Sequence, residues 1–408
     1  MIGSASILRR PGLVPLAAVL VLSNAAEQFA LLALLWLATE SGAPPLALGA
    51  VVLCNRLPAV LAAPAIGRLL DRLAPRRLIV LDNLGRALCL VAAVALMAAQ
   101  GPGLPLILGL AALLGLPAAL TCTGVRVVVP RLVPAAELPV ANGVIGIGDH
   151  LPYLLGPPLA GLMLAATSGA LALLVPAAAL VVAALLALGL PAAAGRPASA
   201  YAGAAPEPAV RWLGFEPLWR HPALRALLIL TTAYFFAYGP LEPALPLFVR
   251  DALRAGPEAF GLLWGAFGLG AFLGLVTVKP LARLRPGVVN AAGAVLWGVL
   301  LLPVALAETL LPALVCIFLG AFVWAPYAAI EVSVIQRLVP AGQLGAVLAA
   351  RRALLIAAMP AGAALGGALL ELVSAPAVIA LSSAACIVVG GACLAVPSLR
   401  AVPPPGRP

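Results

Sequence analysis

Charge is what this sequence has least of. Only 9% of its 408 residues are Asp, Glu, Lys or Arg, against roughly 25% in a water-soluble domain. A chain so poor in charge cannot cover its own surface in water, which excludes a soluble enzyme or binding module. Lysine is almost missing, Lys279 being the single one, and with the abundance of Ala, Arg and Pro this bias suggests a GC-rich bacterial genome. Two histidines, His150 and His221, leave little for a carrier with clustered imidazole ligands. There is no Gly-rich phosphate loop and no nucleophile–base–orienter set, nor a polar domain to hold one. The expectation is therefore no enzyme, no bound cofactor and no resident metal. Cys54, Cys89, Cys122, Cys316, Cys386 and Cys393 all sit in apolar stretches without metal-ligand spacing, as inert buried thiols do.

What fills the space is hydrophobic sequence, 64% of the chain, with a mean hydropathy of +1.15. A spanning helix needs about 20 mostly apolar residues. Apolar runs between charge or Pro/Gly breaks predict twelve spans. They cover 13–38, 46–67, 78–99, 104–128, 139–166 and 168–191, then 223–248, 258–278, 287–306, 310–335, 343–370 and 373–396. Forty Gly and forty Pro fit this class, because both residues are more frequent in membrane helices. Arg9 and Arg10 before the first run resemble a cleavable signal, but Glu27 inside the run and the segments that follow argue against one. The expected organisation is a six-helix bundle over 1–192, a central loop over 193–222, a second bundle over 223–398 and a tail over 399–408. In the loop, Trp212, Phe215 and Trp219 suggest a segment lying along the headgroup interface.

The net charge of +10 does not indicate nucleic acid, because no single polar domain collects the basic residues. They fall in every second loop instead. An inside N-terminus puts nineteen of the 24, Arg351 and Arg352 among them, on the cytoplasmic side, and so predicts both termini inside. The halves repeat: RLVPAAEL from Arg131 to Leu138 returns as RLVPAGQL from Arg337 to Leu344, 206 residues later. At the same offset GPPLAGLML from Gly156 matches GAALGGALL from Gly362. Two parallel repeats with a substrate site between them near mid-membrane is a known transporter plan.

Between the second and third spans stands GRLLDRLAPRR, from Gly67 to Arg77. Gly67 is expected to let two helices approach closely, and Asp71 to accept from backbone donors at a helix start. Arg72, Arg76 and Arg77 would hold the loop at the anionic leaflet. This stretch resembles the loop signature of the major facilitator superfamily. DNLGRAL from Asp82, PRLVPAAELPVANG from Pro130 and GPPLAG from Gly156 are similar to the bacterial branch that exports drugs, macrolides and siderophores. The resemblance implies an all-α fold of twelve helices in two pseudo-symmetric halves, in the bacterial inner membrane. It makes Gly156, Pro157 and Gly161 an antiporter-like motif of the fifth span, although Ala160 replaces one of the usual glycines. Arg126, near the cytoplasmic end of its span, goes with the gate near Asp71. The second-half loop, GLVTVKPLARLR from Gly274, lacks the Asp.

Ionisable groups in hydrocarbon are costly, about 2.5–3.5 kcal/mol on insertion scales, so each needs a reason. Glu27, beside Asn24 and Gln28, reads as a protonatable group facing a cavity or as a packing group bonded to a neighbour. Glu242 stands between Pro240 and Pro243, which predict an irregular helix of the kind tolerated beside a cavity. Glu331 lies deep in the tenth span near Tyr327. Asp149 and His150 are adjacent and so point about 100° apart on a helix; His150 reads as a proton relay or as a packing residue. Arg56, beside Asn55, and Asp82 with Arg86 suggest buried ion pairs, and the i, i+4 spacing of Asp82 and Arg86 also lets those two pair simply with each other. A cavity lining is expected from Trp36, Tyr153, Tyr234, Phe235, Tyr238, Trp264, Trp324 and Tyr327.

The function expected is proton-coupled efflux of amphipathic small molecules by a monomer that rocks between two access states. The partners would be a small-molecule substrate and membrane lipids, with the proton gradient as energy source. Export of nickel or iron, and movement of lysolipids, are the alternatives.

Overall fold

The computed structural model describes residues 10–134, 137–167, 169–191, 195 and 215–402, without the side chains of eleven positions that include Asp71, Asp149 and His150. Arg196, Glu207, Arg211 and Trp212 of the expected central loop lie outside the described residues. Among the described residues the elements are helical throughout, with no strand. In the first half they are α1 (Leu13–Glu40), α2 (Pro45–Arg72), α3 (Pro75–Gln100), α4 (Leu104–Leu132), α5 (Leu138–Ala166) and α6 (Leu174–Leu188). A short α7 (Phe215–Arg220) precedes the second half: α8 (Pro222–Tyr238), α9 (Leu241–Leu247), α10 (Pro257–Gly274) and the brief α11 (Val278–Leu281). There follow α12 (Pro286–Leu301), α13 (Leu310–Trp324), α14 (Tyr327–Leu338), α15 (Ala341–Leu369), α16 (Ala375–Leu394) and α17 (Pro397–Arg400).

Proline sets much of this punctuation. Pro45, Pro75, Pro222, Pro257 and Pro286 each open a helix, where the missing N–H costs nothing and φ is already right. Inside helices proline has unequal effects, and α15 runs unbroken through Pro360. α5 runs unbroken through Pro152, Pro157 and Pro158 for 29 residues. The expected span 223–248 instead breaks at Gly239–Pro240 into α8 and α9, and then loosens into a π-helical turn over Phe248–Ala252. Span 310–335 likewise breaks at Ala325–Pro326 into α13 and α14. Pro240 and Pro326 cannot donate to the ladder, and at the first break a neighbouring side chain serves a carbonyl at the end of α8. Ser382 Oγ on α16 donates to the Ala237 carbonyl at 2.5 Å. Asn290 Nδ2 on α12 donates at 3.4 Å to the Tyr327 carbonyl, which lies in the first turn of α14 and is not one that Pro326 frees.

Eleven stretches among the described residues are long and apolar enough to cross a membrane. Their surfaces are inverted relative to a soluble protein. Leu61, Leu88, Leu306, Leu311 and Leu372 are largely exposed, while Asp82, Arg86, Glu242 and Glu331 are buried. An apolar belt of this extent has no place in water, and in lipid it costs nothing.

The chain divides into two compact units. The first takes the described parts of 1–43, 54–206 and 256–261; the second takes 44–53, 207–255 and 262–408. In the first, α1 packs on α5 and α6, and α3 packs on α6 and α4. In the second, α8 packs on α15 and α16, and α12 packs on α16 and α13. The same pattern of neighbours recurs, as the 206-residue repeat requires.

Candidate functional site

Within the second unit, the breaks in the helices lie close in sequence to the two acidic residues expected there. Glu242 is in the first turn of α9, just past Pro240, and is buried. Glu331 lies one turn past Tyr327 on α14, with 1% of its side chain exposed, and accepts from Arg351 Nη2 of α15 at 2.5 Å. Arg351 therefore does not belong with the loop cations that set orientation: it lies inside α15, with its guanidinium on a buried carboxylate. Arg351 Nε is buried without a hydrogen-bond partner.

The second unit also holds a run of contacting rings. Tyr234 of α8 stacks on Tyr327, centroids 5.4 Å apart and planes 19° apart. The Tyr327 hydroxyl shares a 3.1 Å hydrogen bond with Thr231 Oγ1, while the Tyr234 hydroxyl is buried without a partner. Tyr238 leans on Trp297, Trp297 meets Phe267 edge to face, and Phe267 also touches Trp264 and Trp324. Of these, Phe267 and Trp297 were not among the residues expected to line a cavity. Each sits in an apolar run where nothing separates it from an ordinary core residue.

In the first unit Asp82 and Arg86 do pair with each other, at 2.7 Å, and both are buried. Their surroundings are more extensive than the i, i+4 spacing reveals. Arg86 Nη2 donates to Ser23 Oγ of α1 at 2.5 Å, and Asp82 accepts from both the backbone N–H and the hydroxyl of Thr121 on α4. Asn83 Nδ2 adds a 3.0 Å bond to Thr121. The cluster ties α1, α3 and α4 together, and every charge in it is answered. Ser23, Asn83 and Thr121 are common residue types with no signal of their own in the sequence.

Glu27 of α1 meets Arg56 of α2 at 3.3 Å, both half-buried. Asn24, beside it, is not open to a cavity through its amide nitrogen, which donates to the Gly148 carbonyl of α5 at 2.9 Å. Asp149 and His150 follow Gly148 on α5, but their side chains lie outside the described residues. Trp36 belongs elsewhere: it stacks on Phe260 and donates to Glu40 at the end of α1.

The loop signature departs from its expected geometry at Gly67. Among the described residues, a Cβ built there meets nothing within 4 Å. Arg72 and Arg77 are exposed, whereas Arg76 donates to the Leu190 carbonyl at 3.2 Å, tying the start of α3 to the end of α6. Arg126 turns back on its own helix, donating to the Cys122 carbonyl at 3.0 Å. The Asp71 side chain lies outside the described residues.

Glycine matters instead on α5 and α15. A Cβ on Gly156 would lie 2.7 Å from the Ala25 carbonyl of α1, and one on Gly161 would lie 2.5 Å from the Pro257 carbonyl of α10. The repeat-related Gly362 presses on the Phe236 carbonyl of α8, and a Cβ on Gly367 would lie 3.0 Å from the Gly49 Cα of α2. Each of these two helices thus uses a pair of glycines five residues apart to touch two other backbones. Pro157 joins the same contact, its carbonyl 2.6 Å from a Cβ placed on Gly261.

Comparison with known proteins agrees with this architecture. Over 96% of both chains, the sequence is 25% identical to the uncharacterized MFS-type transporter y4rN of Sinorhizobium fredii. It is 28% identical to the multidrug efflux pump Tap of Mycolicibacterium fortuitum, covering 93% of this chain and 94% of that one. Among solved structures the nucleoside transporter NupG superposes with a TM-score of 0.74 at 13% identity, over 94% of this chain and 98% of the other. A bacterial homologue of the iron transporter ferroportin, in an inward-facing state, gives 0.68 at 17% identity over 95% and 98%. At such identities the likeness to solved structures carries the fold alone. The Major Facilitator Superfamily sequence model matches residues 16–325, and with a match over so much of its length this multi-pass membrane chain belongs to the Major Facilitator Superfamily of transporters.

Proposed function

We propose that the protein is a secondary active exporter of amphipathic small molecules, driven by inward proton flow across the bacterial inner membrane. In this reading twelve spans, the fifth of them in α5, place both termini in the cytoplasm, and a single copy transports. The likeness to a multidrug efflux pump supports efflux. The observation that carries the coupling is the Glu331–Arg351 pair, buried beside a helix break. A carboxylate there can exchange its arginine for a proton, so protonation changes which groups hold α14 to α15. Proton coupling needs such a group, one whose partner depends on its charge. Glu27 with Arg56 is a second pair of the same kind in the first unit.

Purified protein in liposomes enclosing a pH-sensitive dye tests this. Adding neutral and charged amphiphiles under an imposed gradient should give substrate-dependent proton movement that Glu331→Gln abolishes. Flux that ignores the gradient and survives Glu331→Gln and Glu27→Gln would remove proton antiport and leave facilitated diffusion.

A further inference from the structure

The paired carboxylates bear on what is carried. An organic cation in a membrane transporter needs an uncompensated negative charge, because its desolvation must be answered inside the protein. Here Glu27, Asp82 and Glu331 each already hold an arginine, at 3.3, 2.7 and 2.5 Å. Glu242, buried on α9, has an interaction of its own, and only its Oε2 makes no hydrogen bond. A cation placed beside Glu331 would meet a pair of zero net charge and add a positive charge next to Arg351. The pair itself leaves a donor unmet. Arg351 Nε is buried without a hydrogen-bond partner, and so is the hydroxyl of Tyr234, whose ring stacks on Tyr327, one turn before Glu331. A buried donor left unmet costs about 1–3 kcal/mol, so a ligand that brings an acceptor gains where a ligand that brings a cation loses.

We propose that Arg351 is the specificity-determining residue of the second unit, selecting neutral or acidic amphiphiles with an aromatic body over organic cations. This rests on the exporter reading and narrows its substrate class. Through its charge Arg351 denies Glu331 to cations, and through Nε it receives a carbonyl, hydroxyl or carboxylate oxygen.

The test uses phenylbutylammonium, phenylbutanol and phenylbutyrate, which share one body and differ in the head group. Binding to the purified full-length protein is measured by calorimetry near neutral pH. The wild type should bind the alcohol and the acid at least about tenfold more tightly than the ammonium, the scale set by one unanswered charge at an intermediate dielectric. Arg351→Gln uncovers Glu331 and should reverse that order, whereas Arg351→Lys should keep it. Tyr234→Phe removes a donor without touching charge, and should weaken the acid and alcohol but not the ammonium. If Arg351→Gln does not fold, the wild-type ranking and Tyr234→Phe still decide. A ranking led by the ammonium, an unchanged ranking in Arg351→Gln, or no binding of any of the three overturns the proposal. The exporter reading fails separately: no proton-coupled flux in liposomes, with the binding order intact, removes export and leaves the specificity assignment standing.

Discussion

Gly161 of α5 and Gly261 of α10 meet backbone to backbone, so that a Cβ on either would lie 3.0 Å from the other's Cα. Gly367 of α15 and Gly49 of α2 meet in the same way, at 3.0 and 3.1 Å. Only glycine permits these approaches, and small residues at helix crossings are how membrane helices gain contact without a hydrophobic drive. Gly161→Ala and Gly367→Ala should each force the crossing apart at a cost of about 1–3 kcal/mol, the usual range for overpacking. Thermal unfolding in detergent, alongside a transport assay, reads this out. Gly67→Ala is the control: with open space around it, the substitution should be neutral or stabilising by about 0.5–1 kcal/mol, the helical preference for Ala over Gly. A damaging Gly67→Ala with harmless changes at Gly161 and Gly367 would reverse the assignment of which glycines matter.

Arg10, just before α1, grips Glu137, just before α5, with Nε and Nη2 at 3.0 and 2.6 Å. The hydrogen bonds from Arg10 hold the Glu137 carboxyl below its ordinary value, with the guanidinium charge acting in the same sense. A lowered carboxylate makes its contribution above its unfolded value and loses it as pH falls through the folded one. Stability should therefore be insensitive to this pair around neutrality and decline only on the acid side of the usual carboxylate range. Unfolding followed across pH, wild type against Glu137→Gln, checks it: the variant should lose part of the acid-side slope. The pair is exposed, so the effect is small and salt should shrink it further. Its repeat-related position holds Gln343, which has no charge to form the same bridge.

The fold was legible in composition and periodicity because a lipid-facing chain must write its apolar runs openly. Charge patterning was legible only where it was local. Asp82 and Arg86 share one helix face, so their spacing already implies the pair. Glu331 and Arg351 sit on consecutive helices with a turn between, and no period connects them. Arg351, beside Arg352 near one end of the expected span 343–370, reads as a cation that sets orientation, and only the structure shows its guanidinium on Glu331. Pro240 announced its break through the nearby Pro243, while Pro326 stands alone and gave no comparable signal. The motif around Gly67 draws attention to that glycine, while among the described residues close crossings fall at Gly161 and Gly367, which the repeat and not the loop signature marks.

Asp82 and Arg86 supply the strongest expectation for stability. Their bidentate contact is buried, and Ser23 and Thr121 consume further donors and acceptors. Asp82→Asn leaves a buried guanidinium without its counter-charge, which in comparable pairs costs about 3–5 kcal/mol. Removing both charges, with Asp82→Leu and Arg86→Met together, should recover most of that loss, because two apolar groups have nothing left to satisfy. Thr121→Val should fall in between, at about 1–3 kcal/mol for an acceptor left short of one donor. A double-mutant cycle on unfolding in detergent measures the coupling. Strong coupling, with transport retained in the double variant, assigns the cluster to holding α1, α3 and α4 together. A stable double variant without transport would instead place Asp82 on the proton or substrate path.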